Sequence, residues 1–494
     1  MNDGSLWLIF DIGTSGVKAA LVGDAGNIIR SATVGYPTHS ASGGVVEQDA
    51  GDWWRAVVES TRAVAPDPRE VRAIAVTGQM QDLVLADAEG EPLRPVILYS
   101  DTRAQVEAAE VIERIGRDRL VALTGNDQGA DSLWAKLLWV QRHEPAALDN
   151  AAYVLFGAAD HAVFKLTGCA LTDTTTASTT GLLHIADRRW LDADTLDSFG
   201  IGAATAKLPD LAPGGALAGR LLPEAANALD LRAGTPVYHA PGDAGATTIG
   251  AGSGEIGHIY GYLGTSGWVA FSDSRPGSPE QGVFTLAHPH ADRFVQVAPL
   301  LTAGGNLAWA RGLFDAPDFE SVIAEGLERP PSSILYLPYL NGERAPFTDP
   351  LARAAFIGMG SGCERADLYR AVLEGVVFAY RHAIDALLPS GCETLTLTGG
   401  GTRSERWCQL FADVLGIPIA LAADAENVGV RGALLSARVA SGTVSTYAPE
   451  GFFPVRTTLQ PDLDAHARYS RKYALYLQAY PALKSLFASL ASAG

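Results

Sequence analysis

The sequence has few cysteines, and they are far apart. Four cysteines are spread over 494 residues, and none forms a Cys-x-x-Cys pair or a zinc-type cluster with histidine. Disulfide frameworks and zinc sites need closer spacing, so the thiols are predicted to be reduced and structural. The sequence also lacks a basic segment followed by an apolar signal core, and it has no uncharged apolar run of membrane-spanning length. We therefore expect a cytoplasmic protein without a membrane partner.

Basic residues are scarce as well. Lys and Arg number 37 against 55 Asp and Glu, which gives a net charge of −18 at pH 7. This balance argues against sequence-independent nucleic-acid binding, which depends on neutralising phosphates with Lys and Arg. The length exceeds what one compact core supports, so two or more domains are expected. The 53 glycines fit a globular α/β enzyme with many tight turns. The sequence leaves a homodimer open.

Against these absences, one motif stands out because it occurs twice. Gly-Thr-Ser-Gly is found at Gly13–Gly16 and at Gly264–Gly267, about half a chain length apart, each time between two β-favouring apolar runs. Such turns expose backbone N–H groups and hydroxyls that bind anions, phosphate above all. One copy is weak evidence, because turns of this composition are common. Two copies predict a duplicated fold that grips a polyphosphate, with units 1–250 and 251–494 joined through the glycine-rich segment Gly250–Gly257.

Charged residues flank the first copy. Asp11 precedes the turn, and Lys18 follows it. A carboxylate beside phosphates repels them unless Mg²⁺ intervenes, and hard oxygen ligands suit that ion. Lys18 could meet a phosphate as a point charge. The alternative, which the sequence leaves open, is that Asp11 caps the turn and Lys18 is solvated.

Asp243 is the candidate for catalysis. It lies where a predicted strand, Pro236–Ala240, gives way to a small-residue helix, Ala244–Ile249. Transfer of phosphate to an alcohol needs a carboxylate that orients the hydroxyl and accepts its proton. Asp is also a preferred helix N-cap for structural reasons alone, and that alternative stays open.

Three further segments are candidates for binding. Met80–Asp82 is predicted to end a buried strand, where open sheets place ligand contacts, and Asp101 and Arg103 could join it. Gly399–Gly401 links a predicted strand to a helix and would allow a base or a phosphate to approach closely, with a purely structural turn as the alternative. The Thr-rich segment Asp173–Gly181 is interpreted as a loop or cap near the site.

In their order and spacing, these motifs resemble the FGGY family of carbohydrate kinases, and most closely its xylulokinase branch. The matching segments, in chain order, are Asp11–Lys18, Glu47–Asp49 with Trp53 and Trp54, Gly78–Met80, Lys136–Pro145, Gly242–Asp243, Leu263–Gly267, Leu337–Pro346, Leu373–Gly375 and Gly399–Arg403. The resemblance implies an α/β fold of two ribonuclease-H-like (actin/Hsp70/sugar-kinase) domains flanking a catalytic cleft. It implies ATP and Mg²⁺ mainly on the second domain, and a sugar substrate, D-xylulose by branch, mainly on the first.

The resemblance also implies roles for residues. Asp243 would be the general base, and Asp11 would lie near the metal. Met80 and Gln81 match sugar-contacting positions, and Asp101 is grouped with them as a substrate-binding candidate. The nucleotide-binding candidates are Thr14, Ser15, Lys18, Gly264, Thr265, Gly304, Gly400, Gly401 and Ser404.

Two positions depart from the branch pattern. Gln81 replaces a histidine, and Ala244 replaces an asparagine that follows the base. Loss of a bond to a substrate hydroxyl can change specificity strongly. A kinase of another sugar or polyol, such as ribulose, ribitol or glycerol, is therefore kept as an alternative. An ATP-binding conformational switch of the same fold is a second alternative, which the retained Asp243 argues against.

Overall fold

Two large sheets organise the chain, one in each half. The structure is a computed structural model that describes residues 6–65, 67, 69–388 and 391–493. The first sheet has, in spatial order, the strands Ala216–Arg220, Pro236–His239, Val71–Gly78, Leu6–Gly13, Gly16–Val22 and Ile28–Gly35. The second has, in spatial order, the strands Phe284–Ala287, Phe294–Leu300, Gly267–Asp273, Ile259–Leu263, Leu395–Thr398, Ile419–Ala422 and Val455–Leu459.

The two sheets share one local topology. In each, a Gly-Thr-Ser-Gly turn closes an antiparallel hairpin, Leu6–Gly13 with Gly16–Val22 and Ile259–Leu263 with Gly267–Asp273. The first strand of each hairpin then pairs in parallel with a later strand, and that strand pairs in parallel with a third. Parallel neighbours need crossover connections, so the repeated pattern is a repeated fold rather than a repeated turn.

Smaller sheets complete the strand structure. A five-stranded sheet in the first half contains His39–Ala41, Val45–Gln48, Val96–Ile97, Met80–Ala86 and Tyr153–Gly157 in spatial order. Two-stranded pairs are Leu171–Asp173 with Asp210–Ala212, Leu183–His184 with Arg189–Trp190, and Leu335–Leu337 with Ala355–Ile357.

Helices cover the sheets on both sides. In the first half they are Ala50–Val64, Gln105–Ile115, Arg117–Thr124, Leu133–His143, Pro145–Asn150, Ala158–Thr167, Thr174–Ala177, Ala193–Phe199, Pro223–Leu229 and Asp243–Thr248. In the second half they are Gly305–Leu313, Phe319–Glu328, Arg365–Leu387, Glu405–Leu415, Val428–Ala440 and Leu463–Ala493. No helix in the described ranges is long and apolar enough to cross a membrane.

The helix that begins at Asp243 packs against the helix Val428–Ala440 of the second half, and this contact positions Asp243. The helix Val428–Ala440 packs on the first sheet, where Val430 and Leu434 are fully buried in one cluster with Ile9. A Cβ atom at Gly432 would lie 1.8 Å from the carbonyl oxygen of Ala246, which belongs to the helix Asp243–Thr248, so only glycine allows this approach. The helix that Asp243 begins therefore packs directly against a helix of the second half.

The structure corrects two predictions made from the sequence. Met80–Asp82 does not end a buried strand. The first-sheet strand ends at Gly78, and Met80 begins a strand of the five-stranded sheet. The reason is Gln79, whose backbone N–H bonds to Ile12 and whose carbonyl accepts from Ala158, which turns the chain out of the first sheet.

The Thr-rich segment is also more ordered than a loop. It contains the end of the strand Leu171–Asp173 and the short helix Thr174–Ala177, which Asp173 caps by accepting from the backbone N–H groups of Thr175 and Thr176. Asp is a favoured N-cap, and its position here explains why a threonine run, poor in intrinsic helix propensity, is helical.

Candidate active site

Asp11 and Lys18 face each other beside the first turn. They are cross-strand partners in the hairpin, and the turn itself contains Thr14 and the exposed Ser15. Burial raises the pKa of Asp11, and the charge of Lys18 opposes that rise. A Cβ atom at Gly429 would lie 2.8 Å from Oδ2 of Asp11, so the helix Val428–Ala440 begins directly against this carboxyl group.

Lys18 joins the two halves of the chain. Its Nζ donates to the backbone carbonyl of Glu426 and to Oδ1 of Asn427, the latter at 3.2 Å. The side chain is half-buried rather than solvated. Lys18 therefore contacts the second half of the protein, and its assignment as a phosphate contact stays a prediction.

Asp243 is the first residue of its helix, not the N-cap. Gly242 occupies the N-cap position, and Oδ1 of Asp243 accepts only from the adjacent Ala244 N–H, at 2.7 Å. Within the described residues, Oδ2 has no hydrogen-bond partner. Burial, and then the charge of Asp11, raise the pKa of Asp243 to about 7. A carboxylate with a free oxygen and a pKa near neutrality is suited to accept a proton from a substrate hydroxyl.

Met80 and Gln81 lie next to the segment that carries Asp243. A Cβ atom at Gly242 would lie 2.1 Å from Sδ of Met80, so the thioether packs directly on the backbone before Asp243. Gln81 has a φ of 64°, in the left-handed region that glycine favours, and its Nε2 donates to the carbonyl of Asp131 at 3.3 Å. Non-glycine residues with this backbone are held in place by their surroundings and cluster at functional sites.

The candidate Asp101 is occupied by other contacts. It is fully buried, accepts from the backbone N–H of Val46 at 2.7 Å, and pairs with Arg103 at 2.7 Å. These bonds hold the loop around residues 98–103 in place. Its assignment to the substrate stays a prediction, and the contacts favour a supporting role.

Two buried ionisable residues near this loop were not predicted from the sequence. Asp82 and Lys136 are both fully buried. Asp82 accepts from the Tyr99 N–H at 3.0 Å, while Lys136 donates to the Leu98 carbonyl at 2.7 Å. Burial raises the pKa of Asp82 well above its usual range and lowers that of Lys136 to about 8. The Tyr99 hydroxyl lies 3.4 Å from Oγ1 of Thr14, which connects the pair to the first turn.

The second turn is supported by the segment that follows the strand Phe294–Leu300. The carbonyl of Gly264 accepts from the Gly304 N–H at 2.8 Å, and the carbonyl of Thr265 accepts from Ala303 and Gly305. The side chain of Thr265 is exposed. Three of the nucleotide-binding candidates, Gly264, Thr265 and Gly304, are therefore brought together.

The triple-glycine turn packs against the same hairpin. A Cβ atom at Gly399 would lie 2.7 Å from the carbonyl oxygen of Leu263, and one at Gly401 would lie 2.4 Å from its side chain. At Gly400, by contrast, no atom of the described residues lies within 4 Å of that position, so this residue faces open space. Ser404 caps the helix Glu405–Leu415 by accepting from the Trp407 N–H at 3.3 Å. Gly400 is thus open to a flat base or a phosphate, and the Ser404 hydroxyl, which accepts one bond, keeps its own O–H to donate. Both assignments to the nucleotide stay predictions.

The residues present fit a divalent cation held together with phosphate. In the described ranges no group of three or more His, Cys, Asp or Glu residues could hold a metal ion alone. Mg²⁺, however, is commonly bound through one or two carboxylates, with waters and substrate phosphates as the remaining ligands. Asp11 provides such a carboxylate, and it lies close enough to Asp243 for its charge to raise the pKa of that residue.

In the described part of the chain the four cysteines, Cys169, Cys363, Cys392 and Cys408, are not paired with one another, and they range from the exposed Cys169 to the buried Cys408.

Comparison with known proteins identifies the family. Residues 6–250 match the N-terminal domain of the FGGY family of carbohydrate kinases, and residues 259–441 match its C-terminal domain. The chain belongs to this family. It is therefore an ATP-dependent sugar phosphotransferase, and the predicted two-domain α/β fold is confirmed.

Individual relatives cover nearly the whole chain. A xylulose kinase of Escherichia coli strain K12 is 31% identical over 98% of this chain and all of its own length. A solved xylulose kinase from Rhodospirillum rubrum has a TM-score of 0.88 at 27% identity, covering 97% of this chain and 99% of the other. A gluconate kinase from Lactobacillus acidophilus reaches a TM-score of 0.89 at 26% identity, covering 98% of this chain and all of the other.

Proposed function

We propose that the protein transfers the terminal phosphoryl group of ATP to a hydroxyl of a neutral sugar, D-xylulose in the first place, with Asp243 as the general base. The observation that carries this proposal is the free Oδ2 of Asp243 on a carboxyl group whose pKa is about 7. The substrate oxygen bonds to phosphorus as the bond from phosphorus to the departing ADP oxygen breaks. The hydroxyl proton passes to Asp243.

Different residues around Asp243 would bind the metal, the sugar and the nucleotide. Asp11 would hold Mg²⁺, which neutralises phosphate charge when bound. Residues 1–250 would bind the sugar through Met80 and Gln81. Residues 251–494 would bind the nucleotide through the second turn and Gly400. The position of Gly400, with open space before it, supports the nucleotide assignment.

Charge at the sugar end favours a neutral substrate over an aldonate. Three carboxyl groups lie close enough to influence one another: the charge of Asp11 raises the pKa of Asp243, and the charge of Asp243 raises the pKa of Asp82. Two cations lie nearby, and both are bonded within the protein: Lys136 donates to backbone carbonyls, and Lys18 donates to Glu426 and Asn427. A substrate carboxylate would add a further acidic group beside these three, so gluconate is disfavoured despite the similar fold of the gluconate kinase.

A coupled assay of ADP release tests the substrate. Purified protein with MgATP is supplied with D-xylulose, D-ribulose, ribitol, glycerol and D-gluconate in turn. We expect the highest kcat/KM with D-xylulose and the lowest with D-gluconate. A preference for D-gluconate would contradict the electrostatic argument. Sugar-independent ATP hydrolysis alone would contradict the kinase assignment.

A further inference from the structure

The Thr-rich helix Thr174–Ala177 contacts both the Asp243 segment and the second half of the protein. On one side, Oγ1 of Thr176 donates to Asp173 at 2.5 Å and lies 2.6 Å from where a Cβ atom at Gly242 would be. On the other side, Oγ1 of Thr175 donates to the carbonyl of Ala287 at 2.7 Å. The helix is thus a physical connection between the residue before Asp243 and the second sheet.

The second-half partner is the edge strand Phe284–Ala287. Its inner edge pairs with Phe294–Leu300, and its outer edge bonds to side chains of the first half. Asn126 exchanges two bonds with the backbone of Thr285, at 2.7 and 2.8 Å, and Oγ of Ser178 accepts from the Ala287 N–H at 3.0 Å. Exposed strand edges leave backbone groups unpaired, and here polar side chains of the first half satisfy them.

A buried network lies behind the Asp243 segment. His239, Asp160 and Asp173 are fully buried. Nε2 of His239 bonds to Oδ1 of Asp160 at 2.9 Å, its Nδ1 bonds to the Ala240 carbonyl at 2.9 Å, and Oδ2 of Asp173 lies 3.9 Å from Nδ1. Both ring nitrogens face acceptors, which fits a protonated ring. Burial lowers the pKa of His239, but the bond to Asp160 and the charges of both carboxylates outweigh this and raise it to about 8.

We propose that His239 and Thr176 are positioning residues for Asp243. With Asp160 and Asp173 they fix the segment His239–Asp243 and couple it, through the Thr-rich helix, to the edge strand Phe284–Ala287. This inference rests on the proposed function, because it assigns the network to the placement of the general base. Fixed placement matters because a misplacement on the order of 1 Å can cost roughly a hundredfold in rate.

The test compares threonines within one segment. Thr176→Val removes the hydroxyl that bonds to Asp173, and Thr176→Ser retains it. Thr180→Val is the matched control, since Thr180 is also buried and, among the described residues, its hydroxyl bonds only to Ala177 and Leu182 of its own segment. We expect Thr176→Val to lower kcat by about ten- to a hundredfold. The KM for ATP should change by less than about twofold, as for a loss confined to the chemical step. Thr176→Ser should restore kcat, and Thr180→Val should leave it near wild type.

A second readout does not depend on turnover. Amide hydrogen exchange of peptides covering residues 237–248 should accelerate in Thr176→Val and in His239→Gln, but not in Thr180→Val. Equal acceleration in the Thr180→Val control, or unchanged exchange in both test variants, would overturn the inference. A wild-type protein inactive on every sugar would contradict the proposed function instead, and the exchange comparison would still decide this inference.

Discussion

Replacing Asp243 with asparagine should stabilise the protein while abolishing turnover. Asparagine keeps an Oδ1 acceptor for the Ala244 N–H but cannot ionise or accept the substrate proton. The pKa of Asp243 in the folded protein is about 7, against 3.8 for an unperturbed Asp. When the pKa of an acid is higher in the folded than in the unfolded state, ionisation of that acid destabilises the folded protein.

The sign and size of the effect follow from this difference. Between about pH 4 and pH 7 the folded protein retains a proton that the unfolded chain has released, so stability falls as the pH rises through this window. The shift of about three pK units corresponds to about 4 kcal/mol, an upper limit for the cost above pH 7. Asp243→Asn should therefore unfold at higher urea concentration than wild type at pH 8, and the gap should close as the pH approaches 4.

Urea unfolding at pH 8 and pH 5, with kcat measured on the same preparations, checks both halves of the prediction. Asp210→Asn, at an exposed strand position, is the control and should leave stability and turnover unchanged. The reasoning is refuted if Asp243→Asn is less stable than wild type at pH 8, if the gap is independent of pH, or if turnover survives.

Three further changes test other parts of the site. Gln81→His should alter the relative kcat/KM values across the sugar panel, and an unchanged ranking would remove Gln81 from substrate choice. Lys136→Met should destabilise the protein by roughly 1.5–3 kcal/mol in urea unfolding, because it removes the bond that the buried ammonium group donates to the Leu98 carbonyl. Gly400→Ala should weaken ATP binding, measured by calorimetry, with little change in Tm, whereas Gly399→Ala should lower Tm because its φ of 96° and the nearby Leu263 carbonyl exclude a Cβ atom. If Gly399→Ala weakened ATP binding while Gly400→Ala only lowered Tm, the proposal that the nucleotide occupies the space beside Gly400 would be contradicted.

Local features of the fold were predictable because they depend on neighbouring residues. The apolar runs around each Gly-Thr-Ser-Gly turn predict hairpins, and both form in register. The strand-to-helix placement of Asp243 is also visible in the sequence and is observed. These features need only short-range pattern and turn chemistry.

Features that depend on long-range contacts could not be predicted. Lys136 lies on a helix, where a lysine normally indicates a solvated face. Its ammonium group is nevertheless buried, and it donates to the carbonyl of Leu98, 38 residues away in sequence. The left-handed backbone of Gln81 accompanies the change of sheet at Gln79, and that change depends on bonds from Gln79 to the distant residues Ile12 and Ala158. The Thr-rich segment is predicted to be a loop because its composition does not reveal the bond from Thr175 to Ala287, which joins residues far apart in the sequence.

Direct detection of the phosphorylated sugar tests the central claim. Wild-type protein and Asp243→Asn are each incubated with MgATP and D-xylulose, and the products are followed by ³¹P NMR. Wild-type protein should produce a phosphomonoester resonance of the sugar in step with ADP, and Asp243→Asn should produce neither. ADP and inorganic phosphate without a sugar phosphomonoester, or equal product from both proteins, would contradict the account.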